Sequence, residues 1–151
     1  MPTIGKAAPA FTLETDTGET LALKDLKGKT VVLFFYPKDD TSGCTTEACE
    51  FRDLMPRFKK GSAVILGISP DSVKSHQKFK AKYDLPFTLL ADTDHAMADA
   101  YGVYGEKEWM GKKFMGADRK TFLIDEQGRI KKVFDKVNVE QHADEVMQAF
   151  G

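Results

Sequence analysis

Two near-continuous apolar runs, Val31 to Tyr36 and Ala63 to Ile68, with a long amphipathic segment between them, constrain the fold of this chain more than any other feature. A run that is apolar at every position suits a strand covered on both faces, the situation of central strands in a parallel sheet. Parallel neighbours need a long crossover connection, usually a helix. The intervening segment supplies one: Cys44, Ala48, Phe51, Met55 and Phe58 fall at i, i+4, i+7, i+11 and i+14, a single apolar stripe on a helix. Pro56 sits inside that pattern and predicts a kink, since an unaccommodated interior proline costs about 3 kcal/mol.

The same alternation continues along the chain. Thr12-Leu13 and Thr20 to Leu23 flank the turn signal Asp16-Thr17-Gly18-Glu19 and predict an N-terminal β-hairpin. A second helix is expected over Val73 to Tyr83, a strand over Phe87 to Ala91 and a short helix over His95 to Tyr101. Thr121 to Asp125 and Ile130 to Phe134 read as a strand pair joined at Glu126-Gln127-Gly128, and Val139 to Phe150 as a terminal helix. The class is α/β with a mixed central sheet flanked by helices. There are no internal repeats, low-complexity tracts or linker-like stretches, so residues 1–151 are expected to form one domain.

Charge narrows the partners. With 22 Lys and Arg against 23 Asp and Glu, the net charge is −1, and no excess of either sign would draw in nucleic acid or an anionic membrane. No apolar run approaches the ~20 residues that span a bilayer, and the first residues lack the pattern of a secretory signal. A cytoplasmic location is expected.

Both cysteines lie in the loop and first turns that follow the first apolar run: Pro37-Lys38-Asp39-Asp40-Thr41-Ser42-Gly43-Cys44-Thr45-Thr46-Glu47-Ala48-Cys49. A helix beginning almost on Cys44, with Thr41 or Ser42 as its N-cap, would place that sulfur among unpaired N–H groups at the positive end of the helix dipole, which favours the reactive thiolate. Cys44 starts on the core-facing stripe. Cys49 lies about 140° further round the axis, beside Glu50 and Asp53, and an intact helix holds the two Cα atoms roughly 8 to 9 Å apart. A disulfide between them is out of reach unless the first turns unwind.

These residues carry a family resemblance. Pro37-x3-Thr41-x2-Cys44 resembles the peroxiredoxin active-site motif, and Gly43-Cys44-Thr45-x-Glu47-Ala48-Cys49-x-Phe51-Arg52-Asp53 resembles the bacterioferritin comigratory protein (PrxQ) branch. The likeness extends through Gly5-x-x-Ala8-Pro9-x-Phe11, Gly67-Ile68-Ser69-x-Asp71, Gly105-Glu106-Lys107 and Gly116-x-x-Arg119-x-Thr121-Phe122-Leu123-Ile124-Asp125. Ser42 departs from the branch, where proline is frequent, and leaves the loop less stiff. The resemblance implies a thioredoxin-like fold and a thiol peroxidase that uses no metal or organic cofactor, works on a peroxide substrate and is recycled by thioredoxin or a similar dithiol. A monomer or weak dimer is expected.

Residue by residue, the resemblance makes Cys44 the peroxidatic nucleophile that becomes a sulfenic acid, and Cys49 the resolving thiol that closes an intramolecular disulfide. It makes Thr41 a hydroxyl partner of the thiolate or the peroxide, and Arg119 a cation that stabilises both. Pro37 either shields the cysteine and shapes the loop or simply ends the strand. Glu47 either orients Arg119 or simply suits the helix dipole. Trp109, Met110, Phe114 and Met115 either wall the site or a partner surface, or pack locally. His76, His95 and His142 stand singly and have no metal-ligand spacing, and Lys78, Lys80 and Lys82 read as a solvated helix face. Two further functions share these residues: a peroxide-sensing relay passing its disulfide to a protein, and a cysteine-containing metal-binding module, for which four suitable ligands are lacking.

Overall fold

The computed structural model describes residues 3–135, 137–139 and 141–150, and for Trp109 and Phe150 the backbone alone. Its strands are β1 (Thr12–Thr15), β2 (Thr20–Ala22), β3 (Thr30–Phe35), β4 (Ala63–Ser69), β5 (Thr88–Ala91), β6 (Tyr104–Trp109), β7 (Lys112–Ala117), β8 (Lys120–Ile124) and β9 (Ile130–Phe134). Its helices are α1 (Ser42–Lys60), α2 (Val73–Tyr83), α3 (Ala96–Ala100) and α4 (His142–Phe150).

Seven strands form one mixed sheet in the order β2-β1-β5-β4-β3-β8-β9. The apolar runs are its centre: β3 pairs parallel with β4, and β4 parallel with β5. Each crossover carries a helix, as parallel pairing requires. The outer pairs, β1 with β2, β1 with β5, β3 with β8 and β8 with β9, are antiparallel. Because side chains alternate along a strand, each central strand feeds two cores. Val32, Phe34, Tyr36, Ile65, Leu89 and Leu123 bury against Cys44, Ala48, Phe51 and Phe58 of α1, Phe79 of α2 and Val146 of α4. Val31, Leu33, Phe35, Leu66, Leu90 and Phe122 bury on the other face with Phe11, Met97 and Tyr101. This is the thioredoxin-like arrangement that the resemblance implies.

Gly67 in β4 is where two side chains need its missing Cβ. A methyl group there would come within 2.8 Å of Phe34 Cζ and 2.9 Å of Leu89 Cδ2, both in fully buried side chains. The Phe34 ring is then free to stack on Phe51 of α1, with centroids 4.8 Å apart.

Of the two candidate N-caps of α1, Thr41 takes the position, in an extended conformation, and Ser42 is the first helical residue. One local expectation needs correction. Leu23 leaves β2 and opens a 3-10 turn over Leu23–Leu26, because the Asp25 carboxylate accepts the Ala22 N–H at 3.0 Å. The stretch before Arg119 is a two-stranded ribbon of β6 and β7 whose tip, Met110-Gly111, has φ of 51° and 78°. Two consecutive positive φ values match a two-residue hairpin loop, a geometry that strongly prefers Asn or Gly and hides its signal when Met takes the first place. Pro56 lies inside α1, which continues to Lys60.

Antiparallel pairing of β8 on β3 sets Phe35 against Lys120 and Phe34 against Thr121. The end of β3, which leads into α1, therefore lies beside the start of β8, which follows Arg119. Two segments 75 residues apart are brought together at the N-terminus of α1.

Candidate active site

The loop from Tyr36 to Thr41 is fixed by a buried polar cluster that sequence reasoning missed. Asp39 is the centre: its carboxylate accepts from the Tyr36 hydroxyl at 2.6 Å and the Ser75 hydroxyl at 2.8 Å, and lies 2.7 Å from His76 Nδ1. Its N–H donates to Asp71 at 2.7 Å, and the Asp71 carboxylate also accepts from Ser69 at 2.6 Å. Burial and the facing Asp39 push the Tyr36 phenol well above its ordinary range. Asp40 follows in a left-handed conformation with φ 56° and ties the loop to α2 through Lys82 and Tyr83, at 2.8 and 2.6 Å. Lys80 reaches Asp16 at 3.0 Å, so of the supposed solvated lysines two are tethers. A signal existed: His76 and Phe79 lie on one face of α2, the face that is buried.

His76 is fully buried, and its two ring nitrogens face two acceptors, the Asp39 carboxylate and the Leu90 carbonyl at 2.8 Å. Only an imidazolium can donate to both. Burial pulls its pKa down, but the Asp39 hydrogen bond and charge, with the Leu90 carbonyl, leave it raised. A raised folded value stabilises the protein most below the unfolded value of about 6.5 and stops doing so as pH rises through the higher folded value. The gap in melting temperature between the wild type and His76→Gln should therefore be widest below that pH and narrow as pH rises. A gap that stays constant from pH 6 to 9 would mean that His76 is neutral.

Cys44 follows as the third residue of α1, where N–H groups still lack helical partners; the first helical bond is Thr45 N–H to Thr41 C=O at 2.8 Å. Its side chain is 1% exposed. Arg119 reaches it from the start of β8: Nη2 donates to Cys44 Sγ at 3.1 Å, and Nη1 donates to Glu47 Oε1 at 2.7 Å. The guanidinium lies over Gly43, where a Cβ would stand 3.3 Å from Nη2. A side chain at 43 would crowd the cation beside the sulfur. Glu47 is completely buried, so of its two readings the structure favours the one that orients Arg119. Burial raises its pKa to about 7 against the opposing pull of Arg119. Its location was legible as well, since 47 is 44+3 and joins the buried stripe with Ala48 and Phe51.

The remaining expected residues are placed differently. The Thr41 hydroxyl donates to the Lys38 carbonyl at 2.9 Å, so in this arrangement its proton is directed away from the thiolate and its oxygen remains an acceptor. Pro37 is an exposed loop residue next to the buried Tyr36. Cys49 is half-buried in the body of α1, and both thiols are free. Burial raises the Cys49 pKa, offset in part by Arg52. Met110, Phe114 and Met115 are 80, 49 and 59% exposed on the β6–β7 ribbon, so they are not part of the buried core; the side chain of Trp109 lies outside the described residues. Among the described residues no three His, Cys, Asp or Glu side chains gather as a metal site, and no helix is long and apolar enough to cross a membrane.

A buried cysteine at a helix N-terminus, held by an arginine and set on a thioredoxin-like sheet, defines a thiol-based redox protein. Residues 4–133 match the AhpC/TSA family. The chain is 58% identical over 144 residues to peroxiredoxin bcp of Coxiella burnetii, covering 95% of each, and 52% identical over 145 residues to peroxiredoxin Bcp of Bacillus subtilis, covering 96% of this chain and 92% of the relative. It superposes on the bacterioferritin comigratory protein of Xanthomonas campestris with a TM-score of 0.91 and 40% identity, covering 98% of this chain and 97% of the other. The chain belongs to the AhpC/TSA family and, within it, to the Bcp/PrxQ peroxiredoxins, which are thiol-dependent peroxidases.

Proposed function

We propose that this chain, as a single domain in the reducing cytoplasm, reduces hydrogen peroxide and organic hydroperoxides through Cys44 and is recycled by thioredoxin or a similar dithiol. The observation that supports it best is the Arg119 guanidinium shared between Cys44 Sγ and Glu47 at 3.1 and 2.7 Å. The Cys44 thiolate attacks the terminal oxygen of the hydroperoxide, the O–O bond breaks, and the leaving oxygen takes a proton to depart as water or alcohol. Sulfur is oxidised to a sulfenic acid. Arg119 neutralises the thiolate and then the charge growing on the peroxide oxygens. The Thr41 oxygen, its own proton committed to Lys38, can accept the hydroperoxide O–H. The solved Xanthomonas campestris relative has alkyl peroxide reduction activity, which agrees with an organic hydroperoxide as substrate.

Cys49 then attacks the sulfenic sulfur, water leaves, and a Cys44–Cys49 disulfide forms for an external dithiol to reduce. Both cysteines sit in one continuous helix, so this step requires the first turns of α1 to open. Cys49→Ser should consume one equivalent of peroxide in a single turnover, lose most cycling with thioredoxin, and advance more readily to sulfinic acid. Intact mass after one equivalent of peroxide should show the wild type two hydrogens lighter, with Cys44 joined to Cys49 on peptide mapping. A disulfide-linked dimer, or undiminished cycling of Cys49→Ser, would place the resolving thiol elsewhere. The chain is proposed to act as a monomer or weak dimer.

A further inference from the structure

We propose that Arg52, three residues beyond Cys49 on α1, is a positioning residue of the resolving step: fixed to the end of α2, it keeps a cation beside the Cys49 sulfur while the turns before it open. The inference rests on the resolving role of Cys49 proposed above.

Arg52 is held from outside its own helix. Its Nη1 donates to the Tyr83 carbonyl at 2.8 Å, and its Nε donates to the Asp53 carboxylate at 2.9 Å. Tyr83 is the last residue of α2, where the final carbonyls lack helical partners, and Asp84 caps that helix in a left-handed conformation with φ 50°. A cation suits this negative end of the helix dipole. Cys49 stands three residues before Arg52, so on the intact helix the two side chains are neighbours on one face. The same turn of α2 also holds the other side of the reactive segment, through the bonds of Lys82 and Tyr83 to Asp40 at 2.8 and 2.6 Å. The stretch that joins the two sulfurs is thus tied to α2 at both ends and can unwind between Asp40 and Arg52 without releasing either.

The charges around Cys49 oppose one another. Burial raises its pKa, Arg52 pulls it down, and Asp53 adds a smaller push upward. Arg52 in turn is kept charged by Asp53, through their hydrogen bond first, and by Asp84 on the α2 side. Arg52 is therefore the group that draws the Cys49 proton off. The thiolate is what attacks the sulfenic sulfur of Cys44: the S–S bond forms as the S–O bond breaks, and the departing oxygen takes up the proton that Cys49 gave, leaving as water.

The tether matters because attack needs an opened helix. Three extended residues span at most roughly 10 Å, about one Debye length at 0.1 M ionic strength. Cys49 thus stays in the field of an anchored Arg52 even after it has left the helix. A lower thiol pKa raises the thiolate fraction but weakens each thiolate as a nucleophile, so on a logarithmic scale about half of the gain survives. One pKa unit then gives about threefold in rate at neutral pH and no advantage once the thiol is fully ionised.

Rapid-quench alkylation with intact mass, after one equivalent of hydrogen peroxide at pH 6.5 to 10, reads the disulfide-forming step in the whole chain. Arg52→Gln keeps a donor for the Tyr83 carbonyl and loses the charge; it should close the disulfide about threefold more slowly than the wild type at pH 7, with a deficit that shrinks as pH rises. Arg52→Lys keeps the charge and should recover most of the rate. In the Cys44→Ser background, the pH profile of Cys49 alkylation should move upward with Arg52→Gln and stay close to that of the parent with Arg52→Lys. A folded Arg52→Gln with the wild-type closing rate at pH 7 would overturn the proposal. So would a deficit equal at pH 7 and pH 10, an Arg52→Lys as slow as Arg52→Gln, or an alkylation profile that does not move. A wild type that fails to form the Cys44–Cys49 disulfide would instead defeat the resolving role of Cys49 on which the inference stands.

Discussion

Replacing Cys44 by serine should leave a folded protein with no measurable peroxide reduction. The residue is 1% exposed and packs in the core beside Ala48 and Phe51, so a substituent of nearly the same size disturbs little. The chemistry has no such tolerance. Serine is not ionised at neutral pH, and a hydroxyl cannot be carried to the sulfenic state that the cycle needs. Arg119 keeps Glu47 as a partner in the variant, so the cation is not left buried alone. Stopped-flow peroxide consumption with near-UV circular dichroism reads both outcomes. A folded variant retaining more than a few per cent of wild-type activity would remove Cys44 from the reaction.

What the residues disclosed in advance was whatever the backbone pattern controls. The apolar runs at Val31 and Ala63 could sit only at the centre of a sheet, and the stripe from Cys44 to Phe58 could face only that sheet. Polar groups buried by tertiary contact were less legible. Asp39 and His76 are 37 residues apart and meet at 2.7 Å because α2 is bonded to the loop that follows β3, which local spacing does not encode. The β6–β7 ribbon escaped for the opposite reason: its residues are mostly exposed, so no apolar alternation marks the strands. Thr41 is an intermediate case, since it stands at the N-cap of α1, three residues before Cys44, but the direction of its hydroxyl depends on the carbonyl of Lys38.

Arg119→Met should lower the second-order rate with peroxide by about 10² to 10³, the usual cost of removing one preorganised donor from a site where charge develops. Methionine keeps much of the side-chain bulk and removes the charge and both donors. Two partners are affected together. Cys44 Sγ loses the donor at 3.1 Å, and Glu47 Oε1 loses the one at 2.7 Å, leaving a completely buried carboxyl group whose other oxygen already lacks a partner. Burial is what raises Glu47 to about 7, and Arg119 is what opposes it, so the variant should carry Glu47 protonated to higher pH. The sign of the pH effect follows. A group whose folded pKa is raised weakens the folded state as pH climbs above its unfolded value of about 4.3, because ionisation is then resisted only in the native protein. Arg119→Met should therefore lose more stability than the wild type between pH 5 and 9, on top of its lost rate. Arg119→Lys should recover part of the stability and little of the rate, since an ammonium lacks the planar fork that sets one nitrogen on the sulfur and another on the carboxylate. A peroxide rate in Arg119→Met within a few-fold of the wild type would show that the cation serves the fold and not the reaction.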